Sequence, residues 1–287
     1  MKIDKIITLA NERVRIPFLA MERSLRATGC KLPLYVIPFD EQMFELPDNA
    51  QWWLGESFAS WLKEQGGLPV MRKYQCLLSS HYQFVDSDII FLKNPEIVLD
   101  PYEGFITSCC HWHNPNETLT PESKDFFTKK TTVWQHQVFN TGQFACSDQL
   151  YTLETLQEVA ERPQFQETCL KHLYHEQPGL NMLVFASGIP ITNLTLPPTY
   201  MESTWAGDYG SHFKNTWEDE ARKPYLMHWA GTKMNRSNPI SELFYNYLSE
   251  EEATAFDKAQ AGRIHKLSLI RRIGRAIKAG WNFFKNQ

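Results

Sequence analysis

Apolar residues near the start of the chain follow strand spacing, then helical spacing, then strand spacing again. Residues 3–9 predict a strand that is buried on both faces at its end. Residues 15–28 carry apolar side chains three or four positions apart, and Gly29 follows where a helix is expected to stop. Residues 34–37 predict a second strand. A strand–helix–strand unit predicts parallel strands with a right-handed crossover, so the sequence favours an α/β fold.

The rest of the chain continues this alternation of helices and strands. Helices are predicted over residues 51–64, 70–79, 149–161 and 164–173, and residues 180–186 continue the fold. Strands are predicted over residues 82–85, 104–108, 189–194 and 225–229, and residues 133–146 predict two strands joined by a tight turn. The polar residues 111–130 predict a long loop, which in a compact domain is usually functional or mobile. We therefore predict a central, mainly parallel sheet with helices on both faces.

Two carboxylates directly follow the predicted strand at residues 82–85. Asp86 and Asp88 are separated by Ser87, and an apolar run begins at Ile89. In open α/β sheets, ligands bind in the crevice at the carboxyl ends of the strands, where this pair is expected to lie. Carboxylate oxygens suit a hard divalent cation, which can neutralise the phosphates of a bound nucleotide. The same tripeptide also occurs in simple turns, so the pattern alone leaves both interpretations open.

Composition limits the kinds of partner that the chain can bind. The net charge is −4, with 43% hydrophobic and 22% charged residues, which is ordinary for a soluble globular protein and argues against generic nucleic-acid binding. The nine tryptophans either pack in the core or stack on the apolar faces of sugars. The six cysteines include no Cys-x-x-Cys pair and suit a reducing compartment. Because no signal peptide or spanning segment is visible, we expect a cytoplasmic protein.

The end of the chain differs from the rest in its positive charge. Residues 263–285 place apolar side chains three or four positions apart, with Lys and Arg largely away from that stripe. The pattern predicts an amphipathic helix, which either lies on the inner face of a membrane or packs on the domain. We predict one domain over residues 1–250 and a helical, basic appendage over residues 251–287.

A string of short motifs resembles one family of enzymes. The chain is similar to the GT-A nucleotide-diphospho-sugar transferases, and most closely to glycosyltransferase family 8, over about residues 3–236. The motifs that carry the resemblance are Thr8-Leu9-Ala10-Asn11, Arg72, Asp86-Ser87-Asp88, Asn140-Thr141-Gly142, Glu176-Gln177 and His228-Trp229-Ala230-Gly231. Lys233 resembles the family's late phosphate-binding Lys, but it comes one residue early, and Arg236 is a second candidate for that contact.

The resemblance implies a role for each of these residues. Asp86, Asp88 and His228 would bind Mn²⁺ or Mg²⁺, since a neutral imidazole is a frequent ligand beside carboxylates. The nucleotide sugar would contact Thr8, Ala10, Asn11, Arg72, Asp86, Ser87, Gly231 and Lys233. Asn140, Glu176 and Gln177 would act beside the anomeric carbon. The implied reaction moves a sugar from a UDP-sugar to a glycan or a lipid-linked acceptor, with retention of configuration.

Three other interpretations stay open. A nucleotidyltransferase on a related fold is disfavoured, because residues 8–13 lack the glycines of its phosphate-binding loop. A non-catalytic module that binds a sugar or a nucleotide would carry the same motifs. The group Cys109, Cys110, His111 and His113 contains zinc-ligand types, although its spacing is not that of the usual zinc sites.

Overall fold

Two sheets organise the computed structural model, which describes residues 1–171 and 176–262. The strands are β1 (Lys5–Ala10), β2 (Leu34–Pro38), β3 (Ala50–Trp52), β4 (Tyr82–Asp86), β5 (Ile89–Phe91), β6 (Phe105–Thr107), β7 (Gln143–Cys146), β8 (Ile191–Asn193) and β9 (Leu226–His228). The large sheet has the order β3-β2-β1-β4-β7-β6-β8. Its first four strands run parallel, and β8 is parallel to β6. The predicted α/β fold with a mainly parallel sheet is confirmed.

One strand of the large sheet runs against its neighbours. β7 is antiparallel to both β4 and β6, with Val85 opposite Gln143. β5 and β9 form a separate antiparallel pair in which Ile89 lies opposite His228. Because β7 and β9 both run antiparallel to the strands beside them, the beginning of β7 and the end of β9 lie beside the end of β4.

Helices cover both faces of the large sheet. They are α1 (Arg15–Ala27), α2 (Glu56–Glu64), α3 (Pro95–Leu99), α4 (Pro121–Thr128), α5 (Leu153–Ala160), α6 (Pro163–Cys169), α7 (Gln177–Ser187), α8 (Phe213–Thr216), α9 (Glu242–Tyr245) and a further helix over residues 250–262. Short 3₁₀ helices cover Glu12–Val14, Pro69–Leu78, His111–His113, Pro115–Glu117, Trp134–Gln137, Ala206–Asp208 and Pro239–Ser241. Successive residues of β1 separate the two cores: Ile7 packs with α2, α5, α6 and α7, whereas Ile6 packs with α1 and α3.

The structure corrects the predicted helix over residues 51–64 at its beginning. Ala50–Trp52 forms an edge strand that pairs with Leu34–Val36 of β2, and the helix starts only at Glu56. Gly55 separates the two elements with φ of +53°, a left-handed conformation that breaks a continuous helix. Backbone pairing with β2 therefore determines the structure of residues that also fit helical spacing.

Two further predictions for the middle of the chain are wrong. Residues 111–130 are not a long loop, because α4 lies within them: Thr120 caps its first turn, Pro121 follows, and Phe127 is buried. Residues 133–146 contain one strand instead of two. Trp134–Gln137 is a 3₁₀ helix, and the buried Trp134 accounts for the apolar pattern there.

The last described helix, over residues 250–262, contacts both α1 and α9. Arg23 donates two hydrogen bonds to Glu252, of 2.6 and 2.7 Å, and the rings of Phe244 and Phe256 lie 4.8 Å apart. The helix begins at residue 250, where we placed the end of the main domain. The amphipathic pattern at residues 263–285 lies outside the described residues, so the division of the chain stays a prediction. None of the described helices is long and apolar enough to cross a membrane.

We expect the pair between Arg23 and Glu252 to stabilise the fold at neutral pH and to lose this effect in acid. Hydrogen bonds from Arg23 lower the pKa of Glu252 from 4.5 to about 2. The contribution is therefore complete above pH 4.5 and declines as the pH falls towards 2. Glu252→Gln should cost about 1 kcal/mol of unfolding free energy at pH 7, since solvent screens a partly exposed pair.

Urea unfolding of wild type and Glu252→Gln at pH 7, 5, 4 and 3 measures this difference. Glu251→Gln is the matched control, because Glu251 is exposed in the same helical turn. A wild-type advantage that stays constant from pH 7 to pH 3 would contradict the assignment.

Candidate functional site

Three distant parts of the chain meet at the end of β4. The backbone N–H of Asp86 donates a 2.7 Å hydrogen bond to the carbonyl of Gly142, just before β7. The N–H of Trp229, just after β9, donates a 3.2 Å hydrogen bond to the carbonyl of Asp88. The Asp86-Ser87-Asp88 segment is thus held between the Asn140-Thr141-Gly142 turn and His228.

Asp86, Asp88 and His228 form a possible metal site. One ligand atom from each side chain lies within 4.8 Å of the others. His228 Nε2 is 3.3 Å from Asp88 Oδ1 and 3.8 Å from Asp86 Oδ2. The imidazole is buried, whereas the carboxylates are 26% and 37% exposed, so the site is open to a ligand on the carboxylate side.

The chemistry of these donors suits a divalent cation. Two carboxylates and one imidazole are a ligand set used for Mn²⁺ and related ions. Although burial alone would raise it, His228 holds the pKa of Asp88 below its usual range, so Asp88 is ionised at neutral pH. The observed separations leave room for one ion between the side chains.

A buried lysine lies on the other side of Asp86. Lys73 Nζ is 2.9 Å from Asp86 Oδ1 and 2.7 Å from Glu176 Oε1, and both Lys73 and Glu176 are only 5% exposed. Burial opposes a charged ammonium, but the two carboxylates raise the pKa of Lys73 above its usual range. The same ammonium and the Thr141 hydroxyl hold the pKa of Glu176 low despite its burial. Lys73 and Glu176 are therefore both charged at neutral pH.

Asn140 connects the turn before β7 to the start of α7. Its Nδ2 donates a 3.0 Å hydrogen bond to Gln177 Oε1, and its Oδ1 accepts a 2.8 Å hydrogen bond from the N–H of Gly142. The Thr141 hydroxyl donates a 2.7 Å hydrogen bond to Glu176 Oε1. These bonds fix the amide of Gln177 and the carboxylate of Glu176 beside the possible metal site.

Two connected cavities contain most of the predicted site residues. The metal pocket, of about 460 Å³, is lined among others by Asp86, Asp88, Asn140, Glu176, Gln177, His228 and Gly231. The donor groove, of about 760 Å³, extends from it past Ala10, Asn11, Ser87, Gly231 and Lys233. Lys73, Asp86 and Asp88 line both cavities. The structure therefore brings these predicted residues together, while their binding and catalytic roles stay predictions.

Three of the predicted residues line neither cavity, and one of them, Arg236, pairs with Asp257. Thr8 is fully buried within β1. Arg72 donates hydrogen bonds to the carbonyls of Pro38 and Leu54 and to the side chain of Gln75. These contacts occupy both terminal nitrogens of its guanidinium group and hold it away from the two cavities.

Lys73, and not the adjacent Arg72, faces the site. Pro69–Leu78 is a 3₁₀ helix, in which residues three positions apart lie on the same side. Val70 and Lys73 share the side that lines the donor groove, whereas Arg72 and Gln75 share another side and bond to each other. Sequence reasoning missed Lys73 because the family resemblance pointed to Arg72 and no motif singled out its neighbour.

The alternative zinc site is not assembled. In the part of the chain that the structure describes, Asp86, Asp88 and His228 are the one group that brings three such ligand atoms within 4.8 Å. Cys109 is instead buried and accepts a hydrogen bond of 3.2 Å from the N–H of Asn140. His111 lies 3.7 Å from Glu117.

We expect Gly142→Ala to weaken metal binding without unfolding the protein. A Cβ atom at residue 142 would lie 2.0 Å from Cε1 of His228, so the imidazole must move. A displaced third ligand should reduce the affinity for Mn²⁺ by about tenfold or more. Isothermal titration with Mn²⁺ measures the loss, and circular dichroism checks the fold. Gly210→Ala is the control, because a Cβ there meets no atom within 4 Å; equal affinities in both variants would contradict the placement of His228.

We expect Lys73→Met to destabilise the fold by about 3–5 kcal/mol, because it leaves the buried carboxylates of Asp86 and Glu176 without their cation. Glu176→Gln in the same protein should restore part of this loss, since it removes one of the two charges. Urea unfolding of the two single variants and the double variant gives the coupling energy. Lys93→Met is the control, because Lys93 pairs with the exposed Glu220. Additive effects of the two substitutions would contradict a direct interaction.

Comparisons with known proteins support the fold. The sequence matches no protein-family model and no curated protein. Among solved structures, the chain is similar to the apo structure of the bifunctional glycosyltransferase WbbM, with a TM-score of 0.54, 11% identity, 90% of this chain and 52% of that chain covered. It is also similar to the apo form of the glycosyltransferase GlyE of Streptococcus pneumoniae TIGR4, with a TM-score of 0.51, 13% identity, and 91% and 64% covered. At this identity the likeness shows a shared fold, and the chain spans less than two thirds of either protein.

Proposed function

We propose that this chain is a metal-dependent glycosyltransferase of the GT-A type, which transfers a sugar from a UDP-sugar to a hydroxyl group of a glycan or glycolipid. The proposal is supported above all by the meeting of Asp86, Asp88 and His228 within 4.8 Å at the end of a parallel strand. That position is where α/β sheets bind nucleotides. The fold shared with two glycosyltransferases agrees with it.

The donor groove provides separate places for the two ends of a nucleotide sugar. Ala10 and Asn11 line it at the end of β1, and we assign the nucleoside to them. Lys233 and Gly231 also line the groove, and Gly231 lines the metal pocket as well, so we assign the diphosphate to this part. A divalent cation held by Asp86, Asp88 and His228 would supply Lewis-acid stabilisation of the departing diphosphate. The sugar then lies in the metal pocket, beside Asn140 and Gln177.

The charges around Glu176 favour a retaining transfer. Glu176 accepts hydrogen bonds from Lys73 and Thr141, and its pKa is low, so it is poorly suited to remove a proton. A retaining transfer needs no separate strong base, because the leaving phosphate oxygen accepts the proton of the acceptor hydroxyl as the new C–O bond forms. Glu176 would instead contribute negative charge near the positively charged anomeric carbon. The Gln177 amide, oriented by Asn140, would contribute its dipole there.

We expect a UDP-sugar with Mn²⁺ to stabilise the folded protein and to be hydrolysed slowly without acceptor. A ligand that binds the folded state at about 100 times its Kd contributes about 2.7 kcal/mol, which raises the Tm by roughly 5 °C. Asp88→Asn should remove the Mn²⁺-dependent part of this rise and lower UDP release by about 10²–10³-fold. Asp219→Asn is the control, because Asp219 is exposed and lines neither cavity.

The test measures thermal unfolding with a panel of nucleotide sugars and then UDP release. Binding without any UDP release or transfer would favour a non-catalytic nucleotide-sugar-binding module. If no nucleotide sugar raises the Tm in the presence of Mn²⁺, the proposed function is wrong.

A further inference from the structure

We propose that a second cleft beside the metal pocket binds the acceptor, and that this acceptor is an uncharged sugar with free hydroxyl groups. This inference rests on the proposed function and adds the substrate class. The outer cleft has a volume of about 400 Å³. Its lining residues are Cys110, His111, His113, Asn114, Glu117, Ser203, Trp205 and Asp208.

The outer cleft continues the line of the two cavities already described. It shares His111, Glu117 and Trp205 with the metal pocket, and the metal pocket shares Asp86 and Asp88 with the donor groove. The three cavities therefore follow one another, with the metal pocket in the middle. A molecule in the outer cleft meets a donor sugar in the metal pocket without crossing the diphosphate part of the groove.

Trp205 forms a firm wall between the outer cleft and the metal pocket. Its indole Nε1 donates a 2.9 Å hydrogen bond to the carbonyl of Ala230, and its backbone pairs with that of His228. Gly207 lies against the six-membered ring, where a Cβ atom would be 2.4 to 2.6 Å from three ring carbons. Such a fixed and partly exposed aromatic ring suits contact with the apolar C–H face of a sugar.

The charge of the outer cleft is opposite to what an anionic acceptor requires. Glu117 and Asp208 are exposed carboxylates in its wall. Of the described residues that line the cleft, none is Lys or Arg. The basic groups in the wall are the imidazoles of His111 and His113, and His111 lies 3.7 Å from Glu117 and is thus compensated within the protein. An acceptor that carries a carboxylate, sulfate or phosphate would be repelled, since two like charges close together in a cleft cost free energy.

The polar groups of the same wall suit sugar hydroxyls. Asp208 accepts a hydrogen bond from the Ser203 hydroxyl, and Glu117 accepts one of 2.9 Å from Asn114 Nδ2. Each carboxylate keeps further lone pairs for hydroxyl donors from a ligand. In the transfer, the hydroxyl oxygen of the acceptor bonds to the anomeric carbon as the bond to the diphosphate oxygen breaks, and its proton goes to that oxygen.

The test compares two acceptor libraries that differ in charge. One library contains neutral oligosaccharides of glucose, galactose and N-acetylglucosamine, and the other contains the same compounds with their 6-hydroxyl groups oxidised to carboxylates. Transfer from the UDP-sugar that stabilises the protein is measured by mass spectrometry. We expect wild type to favour the neutral library by at least about tenfold in kcat/KM, and Asp208→Lys to shift this ratio at least about tenfold towards the oxidised library.

Glu218→Lys is the matched control, because Glu218 is exposed on the same segment but lines none of the three cavities. Asp208→Asn is the second variant, in case the lysine prevents folding, and it should shift the ratio in the same direction by a smaller amount. An equal shift in Glu218→Lys, or no shift in either Asp208 variant, would overturn the assignment of the outer cleft. So would a wild-type preference for the oxidised library.

The two proposals fail in different ways. If UDP release from a UDP-sugar requires Mn²⁺ and Asp88, but neither library accepts the sugar, the acceptor inference is wrong and the proposed function stands. If no nucleotide sugar binds or is hydrolysed, both are wrong.

Discussion

The ammonium group of Lys73 is the contact on which the rest of the site depends. It lies within 3 Å of carboxylate oxygens from the end of β4 and from the residue before α7. At this depth each such attraction amounts to about 4 kcal/mol at a separation of 4 Å and an effective dielectric constant of 20. Without it, Asp86, Asp88 and Glu176 would place three negative charges in one partly buried region. Burial and the neighbouring carboxylates already raise the pKa of Asp86. The lysine acts in the opposite direction, since it lowers the pKa of each of these carboxyl groups and favours the ionised form that a metal ligand needs.

The two antiparallel elements determine which residues surround that contact. A parallel β7 would put its first residues at the opposite edge of the sheet from Asp86, because parallel strands end on the same side. Since β7 runs the other way, the Asn140-Thr141-Gly142 turn lies beside Asp86. In the same manner, β9 ends beside the beginning of β5 and delivers His228. Gly142 completes the arrangement, because the imidazole occupies the space that any larger residue would need.

Local sequence patterns predicted the helices and strands whose structure depends mainly on neighbouring residues. Apolar spacing and a glycine at the helix end predicted the β1–α1–β2 unit, and its three elements lie at nearly the predicted positions. The edge strand Ala50–Trp52 was missed because its structure depends on pairing with β2, which no spacing rule contains. The helix Pro121–Thr128 was missed because its sequence is largely polar and buries little besides Ser123 and Phe127.

In the candidate site, too, neighbouring residues predicted some positions, whereas others depend on residues that are distant in the sequence. The position of the Asp86-Ser87-Asp88 segment at the end of a strand followed from the sequence around it. The partners of that segment did not, since the order of strands in the sheet and the reversal of β7 are tertiary properties. Motif resemblance selected His228, Asn140 and Gln177, which the structure brings to one pocket. It also selected Arg72, whereas its neighbour Lys73 contacts the carboxylates, because a motif match does not determine which of two adjacent residues faces the pocket.

The charged side chains differ along the three connected cavities. Arg13, Lys73 and Lys233 line the donor groove together with Asp86 and Asp88, whereas Glu117 and Asp208 line the outer cleft, which has no Lys or Arg among its described lining residues. Under the proposed function, the cation and the basic side chains would attract a diphosphate to the groove and the carboxylates would disfavour it in the outer cleft, so the sugar would lie towards Trp205. The helix over residues 250–262 contributes Phe256 and Gln260 to the wall of the groove. The ion pair between Arg23 and Glu252 holds this helix against α1, so under the proposed function it would affect donor binding as well as stability.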